Sequence, residues 1–102
     1  MYKLAVSELA HEDLDRIVSH IAVQLANPKA AADLLDDVER CYEHLRENPM
    51  MYETCADKRL AAAGYRKATI KNYIAVYRFS EETGTVYILR FFYGARDYMN
   101  MI

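Results

Sequence analysis

Residues 64–98 read GYRKATIKNYIAVYRFSEETGTVYILRFFYGARDY, and this stretch decides the fold. β-branched and aromatic residues dominate three runs, 65–70, 73–80 and 85–93, the composition of half-buried pleated strands. Only Lys71-Asn72 separates the first two runs, which predicts a tight hairpin. Glu81-Glu82-Thr83-Gly84 separates the second from the third, with Gly84 able to take a positive φ. Three consecutive strands joined by turns make an antiparallel meander. Arg66, Lys67, Lys71, Arg78, Arg90 and Arg96 are interleaved with its tyrosines.

Working outward, residues 2–6 alternate moderately and run into Ser7, so a first strand feeds a helix. Ser7 is a natural N-cap, and Glu8 complements the helix dipole in the first turn. Leu14, Ile17, Val18, Ile21 and Leu25 recur at helical spacing, with Glu12, Asp13, Asp15, Arg16 and His20 off that stripe. Asn27-Pro28 ends this helix and starts the next, Asn27 as cap and Pro28 at the first position. Leu34, Leu35, Val38, Cys41, Tyr42 and Leu45 form the second stripe, and Asn48-Pro49 stops it. Residues 50–63 have no period beyond a short helical turn expected at 57–63. The predicted fold is α+β: an N-terminal strand, a long antiparallel helical hairpin, then the three-stranded antiparallel meander. The helices cover one face of the sheet, and the other is open to solvent or a partner.

A chain of 102 residues is a single domain, 1–102, able to bury a core without disulfides or metal. With 53% apolar and 27% charged residues its composition is globular, not disordered. No apolar run approaches the roughly 20 residues of a membrane span. The short apolar run in MYKLAVSELA is cut off by Glu8, unlike a signal peptide. A cytoplasmic location is expected, with no membrane partner. Cys41 and Cys55 are far apart and fit no ligand pattern, as suits thiols in a reducing compartment. Net charge is −2 but uneven. Residues 1–50 hold 5 Lys/Arg and 10 Asp/Glu, whereas residues 51–102 hold 8 and 5. A weakly acidic chain therefore carries a cationic C-terminal half.

Most acid–base and nucleophilic sites need a histidine, yet His11, His20 and His44 all fall on the helical hairpin at no metal-binding spacing. Gly64, Gly84 and Gly94 are the only glycines, so no phosphate loop exists. Neither a metal nor a cofactor is expected. Along a strand alternate residues share a face, so Arg66 sides with Ala68 and Ile70 while Lys67 sides with Thr69 and Lys71. Arginine forks suit phosphate or carboxylate. Arg66, Lys67, Lys71, Arg78 and Arg96 are therefore the candidate target- or nucleic-acid-binding residues, and Tyr73, Tyr77 and Tyr87 are read as packing residues. Arg96-Asp97-Tyr98 sits just past the last strand, where function often resides. A tyrosine with a pKa of about 10 is a poor base at neutral pH, which weakens Tyr98 as a catalyst.

The ordered set of Gly64-Tyr65-Arg66, Tyr77-Arg78, the Ile88–Arg90 stretch and Gly94-x-Arg96, after a strand and a helical hairpin closed by Asn48-Pro49, resembles the RelE/ParE superfamily of toxins. The resemblance covers nearly the whole chain. It implies a compact toxin from a bacterial type II toxin–antitoxin pair, neutralised by a cognate antitoxin in a hetero-oligomer. RelE-like members cut mRNA on the ribosome; ParE-like members inhibit DNA gyrase. Matched by position, Arg66 and Arg96 correspond to basic residues of the nuclease branch. Ala68, Ile74 and Ala95 stand where that branch has other basic residues, and Tyr98 lies earlier than its terminal tyrosine. The long hairpin and the apolar NYIAVYR strand are more ParE-like. The resemblance thus implies growth arrest by binding a macromolecular target, gyrase in the ParE-like case. The alternatives are a ribosome-dependent mRNA endoribonuclease using Arg66, Arg96 and Tyr98, and a non-toxic module that only binds its antitoxin.

Overall fold

A computed structural model describes residues 1–94, and in it the elements follow one another as β1 (Lys3–Val6), α1 (Glu8–Ser19), α2 (Pro28–Glu47), α3 (Lys58–Ala62), β2 (Tyr65–Ile70), β3 (Tyr73–Ser80) and β4 (Thr85–Tyr93). Both predicted turns close the meander. Ile70 stands opposite Tyr73 across Lys71-Asn72, and Ser80 opposite Thr85 across a four-residue turn in which Gly84 has φ +63°. Lys71 itself takes φ +54°, the left-handed conformation a two-residue hairpin demands.

The sequence pattern left the place of β1 open. It pairs in parallel with β4, giving the order β1-β4-β3-β2. A parallel neighbour needs a long crossover, and the helical hairpin supplies it across one face. Leu34, Val38, Cys41 and Leu45 of α2 are buried in the core that also holds Ala68, Ala75, Tyr77, Val86, Ile88 and Phe91. The short helix predicted at 57–63 is α3, capped by Asp57. It lies on the opposite face, where Leu60 and Cys55 pack on Ile74 and Val76.

Both helix caps form as the sequence predicts. Ser7 accepts the Ala10 N–H, and Asn27 accepts that of Ala30. Three positions depart from the expected stripes. Leu35 is exposed on α2. Leu25 is 60% exposed, because α1 widens into a π turn at His20–Gln24, with the Leu25 N–H reaching His20 O at 3.0 Å. The wider turn swings Leu25 off the face that Ile17 and Ile21 bury. Asp13, expected on the solvent side, is only 3% exposed. Among the described residues no helix is long and apolar enough to cross a membrane.

Candidate target-binding face

The strand register distributes the cationic residues. Between Val76 and Tyr77 it slips by one: Val76 faces Arg90 and Tyr77 faces Ile88, leaving Leu89 as the extra residue of a bulge. Here β1 has ended and α1 takes over the edge of β4. The Ser7 hydroxyl donates to Leu89 O at 2.8 Å, and the Phe91 N–H donates to Asp13 at 3.0 Å. Arg90 adds Nε and Nη2 bonds to the same carboxylate at 2.7 and 3.1 Å. Burial alone would push the Asp13 carboxyl up. The Arg90 and Phe91 hydrogen bonds, with the charges of Arg90 and Arg16, outweigh it and hold the group below the usual carboxylate range. Arg90 is thereby a structural cation. Nothing in the sequence marked Asp13, since its only signal, a charge among other charges on an amphipathic helix, is ordinary.

Arg66 also turns inward. Opposite Tyr77 on the helix-covered face, it donates from Nη1 to Tyr52 O at 2.6 Å. Ala68 and Ile74, where the nuclease branch has basic residues, are both buried, on opposite faces. Tyr77 is fully buried, with its hydroxyl donating to Pro49 O at 2.9 Å. Burial pushes that phenol up to about 12, despite the nearby Arg66 charge. It packs, as expected of it. Lys71, at the hairpin turn, pairs with Asp37 of α2 at 3.3 Å.

The remaining cations lie on the other face. Arg78 is exposed and stands opposite Tyr65 on one side and Tyr87 on the other, so that Tyr65, Arg78 and Tyr87 form one row across three strands. Ala5 continues the row onto β1. Among the described residues Arg78 has no ion-pair partner. Lys67 sits one row further in and approaches Glu53 at 3.7 Å. α3 covers the Ile74 and Val76 side of this face and leaves the Arg78 end uncovered. An accessible guanidinium flanked by two tyrosines combines a rigid fork with flat contact area, the side chains that dominate binding energy at interfaces. The sequence assigned Arg78 to the site but gave no reason to rank it above Arg66. Of the predicted set, then, Arg78 and Lys67 share a face, Arg66 and Lys71 are held by the fold, and Arg96 and Tyr98 lie outside the described residues.

A second surface was not foreseen. Beyond the π turn a groove of about 830 Å3 is lined by Arg16, Ile17, His20, Val23, Leu25, Tyr73 and Tyr93, among others. Tyr73 and Tyr93 meet edge to face, 5.3 Å between ring centroids. Elsewhere the chemistry is sparse. Burial pushes the thiols of Cys41 and Cys55 up, so neither is poised as a nucleophile. No group of His, Cys, Asp and Glu among the described residues could hold a metal ion.

Comparison with known proteins agrees with this architecture. Residues 4–98 match the family model described as the ParE toxin of the type II toxin–antitoxin system parDE. The chromosomal ParDE system from P. aeruginosa is similar in structure, with a TM-score of 0.72 at 23% identity over 92% of this chain and 97% of that one. The RelBE2 toxin–antitoxin complex from Mycobacterium tuberculosis is similar at a TM-score of 0.63 and 22% identity, over 90% and 96% of the two chains. No curated protein sequence matches the chain.

Proposed function

The chain belongs to the family of ParE toxins of type II toxin–antitoxin systems, and on that premise we propose that it acts in the cytoplasm as a growth-arresting toxin that binds its target without cleaving it. The target of the ParE-like reading is DNA gyrase, and the cognate antitoxin neutralises the toxin by forming a complex with it. Arg78, with Tyr65, Tyr87 and Lys67 beside it, makes the target contact. The observation that carries the non-hydrolytic reading is the fate of the basic positions. Two are occupied by buried Ala68 and Ile74, and Arg66 is spent on a backbone carbonyl. Cleavage by 2′-hydroxyl attack needs a base, charge stabilisation and a proton for the leaving group.

Mapping mRNA 5′ ends after induction, alongside a reporter of the DNA-damage response, tests this. The expected result is an early damage response with no new 5′ ends within codons. Codon-internal cleavage that disappears on Arg96→Ala would overturn the proposal and establish the endoribonuclease in its place.

A further inference from the structure

The Arg78 end of the sheet is not uniformly cationic. Past Ser80 the chain turns through Glu81 and Glu82, both exposed. With Arg78, Phe79, Ser80 and Tyr87 they line a cleft of about 370 Å3. One guanidinium and two carboxylates thus share a small opening, and among the described residues none of the three is in an ion pair. The Arg78 side chain lies against the start of β2, its Nε 3.8 Å from where a Cβ on Gly64 would stand. The turn is tied by its own bonds, from the Thr83 N–H to Ser80 Oγ at 3.4 Å and from Thr85 Oγ1 to Thr83 O at 3.3 Å. Both signs of charge are therefore presented side by side and left for a partner.

Charge narrows the occupant. A nucleic-acid backbone is held by neutralising several phosphates at once, and domains that do so are commonly basic. This chain has a net charge of −2 and a pI of about 5.9. A phosphate approaching Arg78 would meet Glu81 and Glu82 at the same cleft, and like charges brought together reject a partner. A polypeptide can carry both signs close together: a carboxylate for the Arg78 fork, a Lys or Arg for the turn, and apolar atoms against Tyr87 and Phe79.

We propose that this cleft takes an exposed protein segment of the target bearing an acidic and a basic side chain side by side, and that Glu81 and Glu82 select it over a nucleic-acid backbone. The inference rests on the gyrase reading above and assigns the contact to the protein surface of the target, not to the DNA it holds.

The test uses the purified chain with gyrase free of DNA and, separately, with a short DNA duplex, affinity being measured by calorimetry and inhibition by supercoiling. The parent should bind gyrase and not the duplex. Glu81→Lys/Glu82→Lys should bind gyrase about tenfold more weakly and inhibit supercoiling less in proportion. Glu81→Gln/Glu82→Gln should fall between it and the parent, and both variants should melt like the parent. Glu39→Lys/Glu43→Lys makes the same change of net charge on the exposed side of α2 and should leave gyrase affinity unaltered. Tighter binding of the Glu81→Lys/Glu82→Lys variant to the duplex, with stronger inhibition, would overturn the inference in favour of nucleic acid and leave the gyrase reading standing. So would an affinity for gyrase that neither turn variant changes, or an equal loss in the α2 variant, which would make the effect one of net charge. A loss confined to antitoxin affinity would give the cleft to the antitoxin, and the inference would fail again. A parent that neither binds gyrase nor inhibits supercoiling would defeat the gyrase reading itself, and this inference with it.

Discussion

Three charged residues of this chain differ in what surrounds them, and their substitution should separate them cleanly. Asp13 holds Arg90 and the Phe91 amide from a buried position. Removing one partner of such a cluster leaves an uncompensated charge, so Asp13→Ala should cost about 3–5 kcal/mol in urea unfolding. Its pH dependence has a definite sign. The folded carboxyl sits below its ordinary value, so its contribution is complete above the unfolded pKa of about 3.9 and is lost as pH falls through the lower folded value. The stability gap between parent and Asp13→Ala should therefore be constant from pH 5 to 7 and close only below about 4. Arg66→Ala orphans the Tyr52 carbonyl and should cost about 1–3 kcal/mol. Arg78→Ala removes no ion pair among the described residues and should stay within about 0.5 kcal/mol. Equal stability losses for Arg66 and Arg78 would contradict the division of the cations between the two faces.

At the scale of elements, local chemistry made most boundaries legible. Ser7, Asn27-Pro28, Asn48-Pro49 and the turns at Lys71-Asn72 and Gly84 each act within a few residues, so the strands and helices they bound could be read directly. What escaped depended on contacts distant in sequence. The parallel seat of β1 against β4, and the burial of Asp13 beside an edge 78 residues away, leave no local trace. The π turn escaped for a different reason: Leu14, Ile17, Val18, Ile21 and Leu25 fit a 3.6-residue period, and one widened turn at the end of a helix barely alters that pattern. The turn ends at Ala26, held at φ +48° before α2 begins. A left-handed alanine is strained where glycine is not, by about 1–2 kcal/mol before the entropy of the freer unfolded chain is subtracted. Ala26→Gly should thus raise stability by about 0.5–1 kcal/mol, seen as a rise of several degrees in melting temperature. A fall would mean that the junction is not limited by that backbone angle.

Across the whole molecule, the chain presents two surfaces of different character on one scaffold. Arg78 and its flanking tyrosines stand on the sheet face opposite the helical hairpin, and the apolar groove lies where the hairpin's π turn meets the ends of β3 and β4. The candidate site was only half legible for the same geometric reason. Strand alternation separates Arg66 from Lys67, yet which of the two faces the helices is decided by the register of Tyr77 and Ala75 in the next strand. The central claim is that the chain binds a target through the Arg78 face and does not cut RNA. A gyrase supercoiling assay with the purified chain tests it most directly. Supercoiling should be inhibited in proportion to added toxin and restored by the antitoxin. Arg78→Ala, with an unchanged melting temperature, should require at least tenfold more protein for the same effect. Normal supercoiling at every toxin concentration, with ribosome-bound mRNA cut by the same preparation, would contradict the account.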